Sequence, residues 1–255
     1  MKSLTVTRYV RPLREGGSLP AIVEASDDGL YVAKFRGAGQ GKKALLAEII
    51  CGGLGKALGL PVPEVVLLEL DPKFGRNEPH DEIRDLLNAS AGLNVGLDYL
   101  PGSITFDPLV RGALTDELAS KIVAFDALTL NVDRTAKNPN LLSWHKHVWL
   151  IDHGAALYFH HGWGNPEEAA RSPFAPIRQH VLLPFARDVE AVRFKLSSQQ
   201  LDDVLAPIPD EWLENEPGFA TANDVRAAYK RFFEVRLANQ ALFLEEASRA
   251  RAQLV

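Results

Sequence analysis

The hydrophobic pattern changes period once along the chain, and that change narrows the fold more than any other feature. Residues 5–13, 20–24, 30–36 and 64–70 read as strands, separated by turn signals such as Asp27-Asp28-Gly29. One helix, residues 42–58, interrupts them and is stopped by Gly59-Leu60-Pro61-Val62-Pro63. Residues 82–87 read as a short helix, residues 116–130 as a helix with Thr115 as N-cap, and residues 223–251 as a long helix or helix pair. A single hairpin, residues 141–144 and 148–151, sits among the later helices. Strands first and helices afterwards mean an α+β fold, not alternating α/β.

The 255 residues suffice for one large domain or two small lobes. Gly96-Leu97-Asp98-Tyr99-Leu100-Pro101-Gly102 is short, apolar and bounded by glycine and proline, so it is the expected connector. The division is then residues 1–96, a hinge at 97–102, and residues 103–255. A net charge of −5 gives no reason to expect nucleic acid as the main partner, which normally needs a basic face. The single cysteine, Cys51, rules out an internal disulfide framework. Arg8 and Arg11 break up the first apolar residues, and no apolar run approaches membrane-spanning length. A cytoplasmic protein without membrane partners is expected.

Five residues carry the chemistry. Lys34 lies in the middle of a strand whose two faces are both apolar, an awkward place for a solvated ammonium. Glu48 has Ala44, Leu45, Cys51 and Gly52 as its helical neighbours, so it needs a cation from elsewhere. Lys34 is the economical partner, and a strand lysine paired to a helix glutamate grips ATP phosphates in protein kinases. Residues 131–140 form a polar loop between an apolar helix and an apolar hairpin. Asp133 and Asn138 within it have the spacing of a kinase catalytic loop, an aspartate base followed by a metal-binding asparagine. Asp152 ends the strand before His153-Gly154, where a carboxylate reaches a cation over the hairpin. An edge-strand lysine, a surface glutamate and an Asx-rich turn are the plain alternatives for these pieces taken singly.

Asp133-Arg134-Thr135-Ala136-Lys137-Asn138 resembles the Asp-Gly-His-Ala-Lys-Asn loop of HipA-like serine/threonine kinases. Val32-Ala33-Lys34-Phe35 and Leu58-Gly59-Leu60-Pro61-Val62-Pro63-Glu64 resemble that family's lysine strand and post-helix strand. The resemblance implies a bilobal protein-kinase-like fold using ATP and Mg2+. It implies Asp133 as base, Lys137 beside the transferred phosphate, and Asn138 and Asp152 as metal ligands. Lys34 and Glu48 would hold the phosphates, and Leu97 and Tyr99 the adenine through backbone hydrogen bonds. Gly16, Gly17 and Ser18 stand where a glycine-rich loop is expected, with Ser18 as a phosphate contact or autophosphorylation site. At 255 residues the chain is expected to be too short for the extra N-terminal subdomain of full-length HipA toxins, and it carries Arg134 and Thr135 where the family has a histidine.

The implied partners are ATP, a protein substrate and an antitoxin-like or operon partner. A nucleotidyl transferase, a small-molecule kinase or a non-catalytic nucleotide-binding module would share the same residues. His145, His147, His153, His160 and His161 lack zinc-site spacing. The four tryptophans read as core packing, and Arg226, Lys230, Arg231 and Arg236 as a solvated helix face.

Overall fold

The computed structural model describes residues 1–13, 19–39, 41–110, 112 and 114–254. The elements in order are β1 (Ser3–Pro12), β2 (Ala21–Ala25), β3 (Leu30–Lys34), α1 (Gly41–Ala57), β4 (Val65–Leu70), α2 (Asp81–Ala89), β5 (Gly92–Asp98) and β6 (Ile104–Thr105). They continue as α3 (Asp116–Thr129), β7 (Leu141–Trp144), β8 (His147–Leu150), α4 (Pro166–Ala170), α5 (Ser198–Leu205), α6 (Asp210–Leu213), α7 (Ala222–Ala238) and α8 (Gln240–Ala252). The mixture is α+β, as the segregated pattern predicts.

The first five strands close into a barrel in the order β1-β2-β3-β5-β4. Closure comes from a parallel pairing of β1 with β4, Ser3 opposite Leu67 and Thr5 opposite Glu69. Alternation sorts the side chains of β3. Tyr31 and Ala33 point into the barrel, and Phe35 just beyond continues that buried face. Val32 and Lys34 fall on the other face and line a cleft.

Residues 96–98 are not a free connector. They form the end of β5, where Gly96 pairs with Ala33 on one side and Val66 on the other. A Cβ at Gly96 would stand 2.7 Å from Leu68 Cδ1, so this glycine serves close strand packing, although in sequence it looks like a chain break.

Two apolar clusters result. One fills the barrel around Val23, Val66 and Leu68. The larger runs from α1 through α3 to α7 and α8. Helix α1 belongs to the larger one, which explains why it is apolar around most of its circumference. A Cβ at Gly52 would meet Val65 Cγ2 at 2.5 Å, so the helix lies directly on β4. At its start Lys43 donates to Glu216 Oε1 at 2.6 Å and to the His160 carbonyl, and Lys42 donates to the Glu211 carbonyl at 2.9 Å. These bonds fix the height of Glu48 above the residues that follow.

Helix α3 begins as its sequence predicts, with Thr115 Oγ1 accepting from the Leu118 amide at 3.0 Å. The β7–β8 hairpin turns through His145 and Lys146, whose φ values of 47° and 65° are those of a type I′ turn. The C-terminal stretch is a helix pair broken at Asn239.

The solvated-face reading of the C-terminal basic residues fails at Arg236. Its guanidinium is fully buried and donates to the carbonyls of Ala127, Leu128, Ala170 and Ser172. Those oxygens lie in the last turn of α3 and at or just past the end of α4, where a cation suits the helix dipole. Arg226, Lys230 and Arg231 do keep surface ion pairs, with Asp210, Asp202 and Glu167. Trp163 and Trp212 are core residues, whereas Trp144 and Trp149 are half-buried and meet edge to face. Among the described residues no helix is long and apolar enough to cross a membrane, and no histidine, cysteine or carboxylate cluster has metal-binding geometry.

Candidate functional site

Lys34 Nζ donates to Glu48 Oε1 and, at 2.6 Å, to Asp152 Oδ1. Glu48 is fully buried and the Lys34 side chain is 12% exposed, while Asp152 is 45% exposed and opens to solvent. Burial alone would drive the lysine neutral. The charges of Glu48 and Asp152 more than offset that and hold its pKa above 10.5. Burial likewise pushes the Glu48 carboxyl up, and Lys34 with His153 reverses it to below the ordinary 4.5. His153 Nδ1 stands 3.7 Å from Glu48 Oε2, beyond hydrogen-bond length, and the ring meets Phe125 edge-on.

The polar loop is built around one aspartate oxygen. Asn138 Nδ2 donates to Asp133 Oδ2 at 2.8 Å, and Asn140 Nδ2 donates to the same atom at 3.0 Å. Asp133 Oδ1 has no hydrogen bond among the described residues. The Asp133 amide is held by Asn131 Oδ1 at 3.1 Å, an Asx-type turn. Asn140 and Asp152, at the two ends of the hairpin, both adopt left-handed backbone, with φ of 48° and 55°. Asparagine and aspartate tolerate that region better than most residues.

Beneath the loop lies a buried ionic cluster. Asp126 of α3 accepts from Arg134, from Asn131 Nδ2 at 3.1 Å and from His180 Nε2 at 2.8 Å. His180 Nδ1 accepts from the Leu182 amide at 3.0 Å, so Nε2 carries the proton given to Asp126. Burial raises the Asp126 carboxyl, but Arg134 and His180 hold it below 3.8. Arg134, which departs from the family's loop pattern, is therefore an internal brace. Sequence reasoning missed Asp126, although it is a lone carboxylate in Ile122-Val123-Ala124-Phe125-Asp126-Ala127-Leu128. As with Glu48, a carboxylate on an apolar helix face needs a cation from elsewhere in the chain.

A cavity of about 360 Å³ gathers Lys34, Glu48, Asp133, Asn138 and Asp152 on its wall. It shares Lys34 and Asp152 with a cleft of about 660 Å³ that reaches Val32, Leu97, Tyr99 and Leu142. Lys137 is exposed and makes no ion pair among the described residues. Gly16, Gly17 and Ser18 lie outside the described residues. The backbone reading of the connector needs revision at Tyr99, whose amide is already bonded to the Leu30 carbonyl at 3.0 Å. Asp98 spends its amide on Glu64 at 2.9 Å, and Leu97 is paired within the barrel with Val32 and Val65. Among the described residues the Leu100 amide carries no bond.

The donor set fits a hard divalent cation. Asp152 Oδ2 and Asn138 Oδ1 are oxygens without hydrogen bonds among the described residues, on residues lining one cavity. Glu48 and Asp152 meet the Lys34 ammonium there and Asp133 lies on the same wall, an excess of negative charge that a divalent ion would neutralise.

A model of the HipA-like kinase family matches residues 6–239. The chain belongs to the HipA-like kinase family. Membership makes this HipA-like chain a phosphotransferase by class. It is similar to the Helicobacter pylori proinflammatory kinase CtkA, at 12% identity over 99% of this chain and 98% of that one, with a TM-score of 0.47. It is similar also to the Golgi casein kinase, at 12% identity over 98% of this chain and 71% of that one, TM-score 0.49. A structure of the same kinase with Mn/ADP bound gives 12% identity over 98% and 73%, TM-score 0.46. No curated protein matches the chain.

The buried charges of the HipA-like chain make its stability acid-sensitive. Glu48 and Asp126 have depressed pKa values, so their contributions are present above the ordinary carboxylate range and are lost as pH falls. Burial pushes His180 below 6.5, and His160, buried against Tyr229, down to about 3. Both imidazoles protonate first in the unfolded chain, so each also removes stability as pH falls from 6.5. Thermal melts from pH 8 to pH 3 should show Tm declining below about 6.5 and more steeply below about 4.5. A Tm that holds constant to pH 4 would contradict these burials.

Proposed function

We propose that the protein is an ATP- and magnesium-dependent phosphoryl transferase, a HipA-like protein serine/threonine kinase of bilobal form. Residues 1–96 would be the nucleotide-holding lobe, 97–102 the hinge and 103–255 the lobe that brings the acceptor. One observation carries the reading: β3, α1, the 131–140 loop and the end of β8 send Lys34, Glu48, Asp133, Asn138 and Asp152 to one cavity.

The adenine would enter the larger cleft between Val32 and Leu142, with the Leu100 amide as a free donor. Lys34, held by Glu48, would release Asp152 and take the phosphates, a charge-assisted bond in a poorly solvated place. Asn138 Oδ1 and Asp152 would hold magnesium, which supplies charge neutralisation between the phosphate oxygens. Asn138 and Asn140 fix one oxygen of Asp133, leaving Oδ1 to accept the proton of the acceptor hydroxyl. Lys137, exposed on the same loop, would meet the transferring group.

The test is thermal stabilisation by ATP. At a hundredfold excess over Kd, binding adds about 2.7 kcal/mol. For a chain of 255 residues that is on the order of 5–10 °C in Tm. A larger shift with magnesium than without it is expected. No shift in either condition would contradict the nucleotide site.

A further inference from the structure

We infer that Arg134 is a positioning residue that sets the Asp133 and Asp152 carboxylates against each other. The inference rests on the nucleotide–metal reading of the site. Arg134 is 1% exposed and directly follows Asp133. Its Nε and Nη2 face the two oxygens of Asp126, Nη2 at 3.4 Å. Its Nη1 donates to the Asn140 carbonyl and, at 3.2 Å, to the Ile151 carbonyl. Asn140 carries the amide that fixes Asp133 Oδ2, and Ile151 immediately precedes Asp152. The Ile151 amide also donates to the Asn140 carbonyl at 3.1 Å, so one guanidinium covers the point where both ends of the hairpin meet.

The other side of the brace is equally fixed. The Arg134 carbonyl accepts from the Val181 amide at 3.0 Å, and His180 holds Asp126 from the same segment. A planar fork is what lets one side chain serve a carboxylate and two carbonyls at once, and lysine has no such geometry. Arg134 does not itself line the cavity, and its side chain has no hydrogen bond to Asp133 or Asp152, so its role is to place them.

The experiment is a magnesium titration of ATP-bound protein followed by Tm, with wild type, Arg134→Lys, His180→Leu and His180→Gln. The metal-free ATP shift reports Lys34, and the magnesium increment reports the spacing of the ligands. Arg134→Lys should keep the metal-free shift and need about 10–100-fold more magnesium for its increment, as loss of an outer support does at metal sites. His180→Leu should weaken magnesium in the same direction, and His180→Gln, which retains a donor to Asp126, should restore the wild-type midpoint. An Arg134→Lys protein with lowered Tm but a wild-type magnesium midpoint would overturn the inference. If that variant does not fold, equal midpoints for both His180 variants and wild type overturn it instead. A wild-type protein without any magnesium increment overturns this inference together with the nucleotide reading, whereas the other outcomes strike this inference alone.

Discussion

Methionine at position 34 is expected to destabilise the fold by about 3–5 kcal/mol, because Glu48 then lies fully buried without its cation. For a chain of this length the loss is on the order of 10 °C in Tm. The metal-free ATP shift should vanish in the same variant, since among the described residues Lys34 is the one ammonium lining the cavity. Glu48→Gln should cost less, because Lys34 keeps Asp152 at 2.6 Å. The Lys34→Met, Glu48→Leu double variant separates the two effects. It should regain most of the stability, as buried ion pairs replaced by apolar side chains often do, while ATP binding stays lost. Calorimetric melts with and without ATP check both parts. A double variant that binds ATP as wild type does would remove Lys34 from the site.

Asparagine at position 133 is expected to cut phosphoryl transfer by about 10²–10⁴-fold, the usual worth of a general base. Tm should move little, since Asp133 is half-buried and the two amides around its Oδ2 can turn to an amide oxygen. The ATP shift should survive with its magnesium increment, because Asp152 and Asn138 remain. Loss of transfer with binding intact would separate a base from a metal ligand. Loss of both would instead place Asp133 among the ligands.

Much of this site was legible in the sequence because its signals are local. Lys34 and Glu48 each violate the pattern of their own element, and a charge in an apolar setting demands a partner wherever the chain folds. Thr115, the β7–β8 turn and strands β1 to β4 are likewise set by near neighbours. What was not legible depends on distant backbone. Closure of the barrel needs β1 to lie parallel to β4, a pairing of residues more than sixty positions apart that no alternation pattern specifies. Strand β5 is obscured by Gly92, Asn94 and Gly96, which look like loop residues and are required by packing and by side-chain bonds to Ser90 and Arg36. Arg236 looks like a surface charge, and Arg134 gives no sign of its bracing role, because most of their partners are main-chain carbonyls, which every residue type carries. His180 joins Asp126 from 54 positions away.

The central claim is that Asp133 and Asp152 belong to one phosphoryl-transfer centre. Incorporation of labelled phosphate from ATP, with magnesium, into the protein itself and a generic acceptor protein tests it most directly. Wild type should be labelled, and Asp133→Ala and Asp152→Ala should fall by at least about 100-fold while remaining folded. Equal labelling of all three proteins would contradict the account.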